Sequence, residues 1–173
     1  MQGASMAENE NVRLFIGLPV SREAAQALGA YGQTLKDCRV VPEDMYHITL
    51  CFLGCRPRQE MDRIARVLEG APRSALTLTL GQTGAFKNGD ILWAGLLHPP
   101  RALYDLQVYL AFALDMPEEE YTPHITLARR AKEVAPGVWL PPVRFSPPEI
   151  ILYESLREEG ILRYRPRFRV PLL

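Results

Sequence analysis

The sequence predicts an α+β fold. We expect a single bilobal domain, with antiparallel sheets lining a central cleft and helices outside them. Its 173 residues suit one domain with a substantial core. Segments of strand periodicity alternate with segments of helical periodicity. The order strand, helix and histidine-bearing strand occurs twice at an offset of 77 residues, which aligns Ile91 with Leu14 and His124 with His47. This repetition indicates an internal duplication and a pseudo-two-fold relation between the lobes.

The first half of the chain contains five predicted elements. Runs of β-branched and aromatic residues indicate strands, apolar side chains at helical spacing indicate helices, and proline or glycine marks their ends. Ser21 is placed to cap the first helix. The elements are a strand at 12–18, a helix from Ser21 to about Lys36, a strand at 47–53, a helix between Pro57 and Gly70, and a strand at 75–80.

The second half repeats the first three of these elements and adds two strands. The elements are a strand at 91–96, a helix from Pro99-Pro100 to Leu114, a strand at 124–129, and strands at 149–154 and 163–170 around a turn at Glu159-Gly160. Because proline lacks a backbone N–H, Pro166 confines the last strand to a sheet edge or a bulge. Residues 1–10 have no apolar segment, so we predict a disordered tail before a domain spanning residues 11–173.

The composition excludes several classes of protein. Lys plus Arg and Asp plus Glu each number 20, so the formal net charge is zero. This argues against binding along a long nucleic-acid backbone but allows a local site for one phosphate. No apolar run reaches the roughly 18 residues of a membrane helix, and no secretory signal is recognisable. We therefore expect a cytoplasmic monomer without a membrane partner. Three cysteines without a Cys-x-x-Cys pair indicate neither a disulfide framework nor a zinc site.

Two of the three histidines begin the same tetrapeptide, at His47–Leu50 and at His124–Leu127. In a strand, the histidine and threonine of each copy share one face, and the isoleucine and leucine point to the other. Two polar residues would not be buried there without partners. We therefore predict that the His-Thr faces border the cleft and that the pseudo-two-fold relation brings both pairs together.

This arrangement suits the in-line opening of a phosphodiester. His47 and His124 can serve as general acid and general base on opposite sides of the phosphorus, while Thr49 and Thr126 donate hydrogen bonds to non-bridging oxygens. No nucleophilic side chain, cofactor or metal is needed. A lone histidine in a strand is usually structural, but packing gives no reason to repeat both polar residues at equivalent positions. Two histidines without a third ligand nearby also argue against a metal site.

The paired motifs on a duplicated chain resemble the two-histidine phosphoesterase superfamily, and most closely its LigT/ThpR-like RNA 2′,3′-cyclic phosphodiesterases. The segments that carry the resemblance are 13–17, 41–54, 91–95, 121–129 and 152–155. The resemblance implies a substrate, an RNA end bearing a 2′,3′-cyclic phosphate that is opened to a 2′-phosphate. It also implies that His124, with Thr126, prepares the attacking water and that His47 protonates the departing 3′ oxygen. The residues themselves leave acid and base unassigned, because the two motifs are identical.

Three further side chains are candidates for substrate binding. Strand alternation places Arg130 on the face of His124, whereas the phosphate-binding arginine of the resembled family aligns with Arg129. A small bulge would reconcile the two, so both are candidates for a phosphate contact, against the alternative of solvated charges. Phe86 precedes a loop and could stack on a base, or it could be a packing residue.

Alternation along the strands gives two more expectations. Arg163, Arg165, Arg167 and Arg169 would form one basic face. Such a face would protect a sheet edge, the interpretation we favour, or form a rim for RNA. Cys51 would lie on the cleft face, two residues after Thr49, or serve as a small apolar filler. The alternative function for the whole chain is a non-catalytic module of the same fold that binds RNA ends or nucleotides.

Overall fold

The protein is described from a computed structural model that covers residues 10–173. The tail predicted for residues 1–10 therefore lies outside the described residues except for Glu10, whose carbonyl accepts a hydrogen bond from the backbone N–H of Arg58 (3.0 Å). The described residues form nine strands, three α-helices and a short 3-10 turn at Glu43–Met45. In chain order they are β1 (Asn11–Pro19), α1 (Arg22–Gly32), β2 (Arg39–Val40), β3 (His47–Pro57), α2 (Glu60–Glu69), β4 (Leu78–Phe86), β5 (Ile91–Leu96), α3 (Arg101–Ala113), β6 (His124–Arg129), β7 (Arg144–Phe145), β8 (Glu149–Glu158) and β9 (Ile161–Pro171).

The strands form one antiparallel sheet in the order β7-β4-β5-β6-β3-β1-β8-β9, with β2 beside β6. The two halves of this sheet meet at β3 and β6, which are joined through the residue pair Ile48–Ile125. These two isoleucines are equivalent in the duplication, so the pseudo-two-fold axis passes between them. The α+β fold with duplicated lobes is confirmed, and a single pair of residues connects the sheets of the two lobes.

A single large apolar cluster packs the helices against the sheet. Leu28 of α1, Leu68 of α2 and Leu110 of α3 are fully buried in it. Ile48 and Ile125 belong to the same cluster. Because neighbouring residues of a strand point to opposite faces, the histidine and threonine on either side of each isoleucine point away from this core.

Most predicted elements are present, with differences at their ends. Ser21 caps α1 as predicted, because its hydroxyl accepts the backbone N–H of Ala24 (3.2 Å), but the helix ends at Gly32 rather than near Lys36. The intervening residues turn the chain so that β2 can pair with β6. The two-residue strands β2 and β7 were not predicted, because so short a segment shows no periodicity. No α-helix within residues 10–173 is both long and apolar enough to span a membrane.

Candidate active site

The same kind of hydrogen bond to a backbone carbonyl orients both histidines. The Nδ1–H of His47 donates to the carbonyl oxygen of Met45 (2.9 Å), and the Nδ1–H of His124 donates to the carbonyl oxygen of Thr122 (2.7 Å). Since a carbonyl oxygen only accepts, each Nδ1 carries a proton. Nε2 of each neutral ring is therefore left with a lone pair. Met45 and Thr122 are themselves equivalent in the duplication, so the lobes repeat the orienting bond as well as the motif.

The two threonines are not equivalent in their hydrogen bonds. The hydroxyl of Thr49 lies 2.9 Å from Nε2 of His47 and donates to it, because that nitrogen is the acceptor. Thr49 is only 8% exposed. Thr126 makes no such bond to His124 in the described structure and is half-buried. The Thr126 hydroxyl is thus available to a ligand. The Thr49 hydroxyl must first give up its hydrogen bond to His47 before it can donate to a ligand.

Aromatic rings surround His47. Phe15 lies 4.8 Å away between ring centroids, and Tyr164 meets the imidazole edge-on at 5.3 Å. Tyr153 stacks on Phe15 at 4.9 Å. The sequence pattern does not mark these rings as part of the site. The signal for Phe15 was present, because it alternates with the core residues of β1.

Fewer aromatic rings lie near His124 than near His47. Phe86 meets its ring edge-on at 4.9 Å, and Trp93 lies 5.9 Å away. The indole of Trp93 lies over Gly84, where a Cβ atom would come within 2.2 Å of the ring. Glycine at this position therefore makes room for the ring that packs beside His124. Trp93 lies in one of the segments that carry the family resemblance, but nothing in the sequence pattern predicts that it belongs to the site.

Burial lowers the pKa of both histidines below the ordinary value of 6.5, and in each case the accepting carbonyl opposes the shift. A positive charge on His124 lowers the pKa of His47 further, which places the two imidazoles near one another. Both rings are therefore mainly neutral at pH 7. A ring that acts as general acid must gain its proton, and an anionic phosphate nearby favours that protonated form.

These shifts predict how stability depends on pH. Because the unfolded histidines bind protons more readily than the folded ones, the free energy of unfolding should fall as the pH drops below 6.5. In the free protein, NMR titration of the imidazoles should give pKa values below 6.5 for His47 and His124, and adding inorganic phosphate should raise at least one of them. Ordinary values for both rings would contradict the buried setting described here.

A bulge in β6 places Arg129 on the cleft face. Trp93 pairs with Thr126 and Ile91 pairs with Arg129, with a register shift between them. The extra residue, Leu127, shifts the alternation, so Arg129 shares the face of Thr126. Arg130 follows the strand with a positive φ of 52°. Of the two candidates, Arg129 is therefore the one that the sheet directs toward the histidines.

Bulges also overturn two expectations from simple alternation. The register of β1 and β3 shifts near Leu50, so Cys51 pairs with the core residue Ile16. Cys51 is 5% exposed and belongs to the main apolar cluster, and burial raises the pKa of its thiol to about 11. Cys51 therefore lies on the core side of β3, and Phe52, which pairs with Phe15, takes the His-Thr face instead; Cys51 is nevertheless among the residues that line a groove beside Thr49 and His124.

The basic face predicted for β9 is divided. A register shift between the pairs Leu152–Phe168 and Tyr153–Pro166 leaves Arg167 as the extra residue. The arginines on either side of it therefore point to opposite faces, and the prediction of one face is wrong. Three of them form ion pairs with glutamates: Arg165 with Glu158, Arg167 with Glu154, and Arg169 with Glu149. β9 is an edge strand, as Pro166 predicted, and these pairs support the edge-protecting interpretation.

A groove of about 730 Å³ opens beside Thr49 and His124. Phe86 and the glutamates of residues 118–120 line it, together with Phe112 of α3, whose side chain is 85% exposed. Phe86 thus both packs against His124 and borders open space. Next to the groove, the hydroxyl of Tyr121 donates to the backbone carbonyl of Thr49 (2.7 Å) and ties the two lobes together.

Comparison with known proteins places this site in a family. A profile described as the 2′-5′ RNA ligase superfamily matches residues 20–159. A protein named RNA 2′,3′-cyclic phosphodiesterase from Geobacillus stearothermophilus is 30% identical over 167 residues, with 84% of this chain and 52% of that protein covered. A protein of the same name from Escherichia coli (strain K12) is 34% identical over 141 residues, with 74% and 76% covered. This chain thus spans about half the length of the first relative.

Solved structures agree with these matches. E. coli LigT complexed with 3′-AMP superimposes with a TM-score of 0.87 at 26% identity, covering 94% of this chain and 99% of that chain. The fold and the family match define the class, a two-histidine phosphoesterase, and both named relatives are phosphodiesterases. The chain belongs to the 2′-5′ RNA ligase superfamily.

Proposed function

We propose that this protein hydrolyses the 2′,3′-cyclic phosphate at the end of an RNA strand and leaves a 2′-phosphate. The observation that carries the proposal is the pair of His-Thr motifs arranged about the Ile48–Ile125 pair, each histidine held by the same backbone hydrogen bond. The names of the two relatives support the substrate class. A LigT structure complexed with 3′-AMP supports a nucleotide as the ligand.

In the proposed mechanism, Nε2 of His124 removes a proton from a water molecule. The water oxygen forms a bond to phosphorus, and the bond between phosphorus and the 3′ oxygen breaks. His47, protonated when the anionic substrate is bound, gives its Nε2 proton to the 3′ oxygen. His124 ends with the proton from water, and exchange with solvent returns both rings to their starting states. The assignment of His47 as acid and His124 as base comes from the family resemblance.

The threonines and Arg129 stabilise the phosphate in this proposal. Thr126 donates its free hydroxyl to a non-bridging oxygen. Thr49 does the same once Nε2 of His47 is protonated and no longer accepts its bond. Arg129, on the same face as Thr126, neutralises charge on the phosphate. Phe86 borders the groove next to His124 and offers an aromatic surface for the terminal base.

Product analysis tests the proposal directly. An RNA oligonucleotide ending in a 2′,3′-cyclic phosphate should yield the 2′-phosphate alone, identified by its resistance to a 3′-specific phosphatase. A 3′-phosphate product would contradict the assigned direction of bond cleavage. Binding without any turnover would favour the alternative, a non-catalytic RNA-end or nucleotide-binding module.

The reaction should also proceed after exhaustive treatment with a chelator. The proposed steps use only imidazole, hydroxyl and guanidinium groups, and no group of three or more His, Cys, Asp or Glu within residues 10–173 is arranged to hold a metal. We expect the same rate of hydrolysis with and without EDTA. Loss of activity in EDTA that a single added divalent cation restores would show that the proposed chemistry is incomplete.

A further inference from the structure

Arginines from three strands lie on the face of the sheet that carries the candidate site. Arg39 of β2 pairs directly with Arg129 of β6, and directly opposed residues of antiparallel strands share a face. Arg13 of β1 alternates with the buried Val12 and Leu14, so it also points away from the helices. The three side chains are exposed. They therefore place positive charge from both lobes on the face of the sheet that carries the histidines.

Two of these arginines approach the same aromatic ring. Burial raises the pKa of Tyr164, and the positive charges of Arg129 and Arg13 oppose that shift. Tyr164 in turn meets His47 edge-on. Arg13 from one lobe and Arg129 from the other therefore lie near a ring that is in contact with the candidate acid. Arg39, beside Arg129, extends the cluster away from the histidines.

Carboxylates do not neutralise this cluster. Within residues 10–173, Arg13, Arg39 and Arg129 form no ion pair, whereas Arg165, Arg167 and Arg169 of β9 each pair with a glutamate. An unpaired exposed guanidinium keeps its donors available for phosphate oxygens, which it binds in bidentate geometry. The unpaired arginines thus have the chemistry of a phosphate-binding surface.

The groove beside His124 has the opposite charge. Glutamates at 118, 119 and 120 line it, and no arginine or lysine is among its lining residues. A strand that carries a charge on every phosphate would be repelled there and attracted to the arginines. The charge distribution therefore distinguishes the two directions in which an RNA strand could leave the site.

We propose that Arg13 and Arg39 form a subsite, continuing from Arg129, for the phosphodiester linkages of the RNA strand that precede its cyclic end. The proposal rests on the proposed function for the position of that end. In this arrangement the strand runs over the arginines, and the terminal base faces the acidic groove. Arg13 and Arg39 then determine preference for an oligonucleotide over a mononucleotide without taking part in the chemical step.

The test compares Arg13→Ala, Arg39→Ala and, as a control with the same change of charge, Arg163→Ala. Arg163 neighbours Tyr164 in β9 and therefore points to the other face of the sheet. Two quantities are measured for each variant. They are the turnover of a nucleoside 2′,3′-cyclic phosphate, and the affinity for a 5′-fluorescein-labelled hexanucleotide with a 3′-phosphate, by anisotropy over a range of salt concentrations.

We expect Arg13→Ala and Arg39→Ala each to weaken hexanucleotide binding by about five- to tenfold, and to reduce the slope of log affinity against log salt by about 0.7 for each lost phosphate contact. Turnover of the mononucleotide should stay within about twofold of wild type, and Arg163→Ala should match wild type in both assays. Equal hexanucleotide affinity in all variants would overturn the subsite. The subsite would also be overturned if Arg13→Ala and Arg39→Ala reduced mononucleotide turnover by the same factor as hexanucleotide affinity. Failure of the proposed function would appear separately, as absence of mononucleotide turnover in the wild-type protein.

Discussion

His47→Ala and His124→Ala should each lower the turnover of a 2′,3′-cyclic phosphate by about a hundred- to ten-thousand-fold, because each variant lacks one of two proton transfers. The rings lie at the edge of the core and not within it, so both variants should keep the fold and a melting temperature near that of wild type. The matched control is His98→Asn. His98 is exposed and has a φ of 46°, which asparagine tolerates. That variant should retain full activity.

The pH profiles of the two variants should differ in a way that assigns the roles. In a bell-shaped profile of kcat/KM, the acidic limb reports protonation of the base and the basic limb reports deprotonation of the acid. His124→Ala should therefore lose the acidic limb in its residual activity, and His47→Ala the basic limb. The reverse result would exchange the roles of acid and base, and near-normal turnover in either folded variant would refute the two-histidine mechanism.

The sequence predicted the histidines and threonines because their pattern is local and repeated. A His-x-Thr pair in a strand shares one face, and its repetition at a constant offset implies a common position in two lobes. The pairing of Ile48 with Ile125 is the structural counterpart of that repeat. Short-range periodicity and one long-range repeat were thus sufficient for the fold class and the centre of the candidate site.

Bulges account for the side chains that were placed on the wrong face. An extra residue shifts every following side chain to the opposite side of the strand, and nothing in the local pattern marked Leu50 or Arg167 as such a residue. Cys51 is consequently in the core, and the arginines of β9 do not share one face. The bulge at Leu127, which a comparison of Arg129 with Arg130 had suggested, works in the same way.

The aromatic rings around His47 could not be predicted for a different reason. They come from β1, β8 and β9, which are adjacent only because of the order of strands in the sheet. Tyr153 and Tyr164 are far from His47 in the sequence, and alternation within one strand does not reveal its neighbours. Such contacts become visible only when the pairing of β1 with β8 and of β8 with β9 is known.

Thr49→Val and Thr126→Val should each lower turnover by about one to three orders of magnitude, because valine keeps the shape of the side chain and removes the donor to a charged phosphate oxygen. The two variants should not be equivalent. Thr126 makes no bond to its histidine, so Thr126→Val removes the phosphate donor alone. Thr49 also donates to Nε2 of His47 (2.9 Å), so Thr49→Val additionally frees that nitrogen, and NMR titration of His47 should detect the change.

The control for both threonines is Thr79→Val, which makes the same substitution in β4 away from the groove and should leave turnover unchanged. If the threonines merely suit a strand, valine should be harmless or mildly stabilising at all three positions. Thermal melting shows whether each variant stays folded, and kinetics on a nucleoside 2′,3′-cyclic phosphate then measure the loss. A folded Thr49→Val/Thr126→Val double variant with near-normal kcat/KM would show that the two hydroxyls stabilise no developing charge on the phosphate. The proposed role of the threonines would then be wrong even if both histidines proved essential.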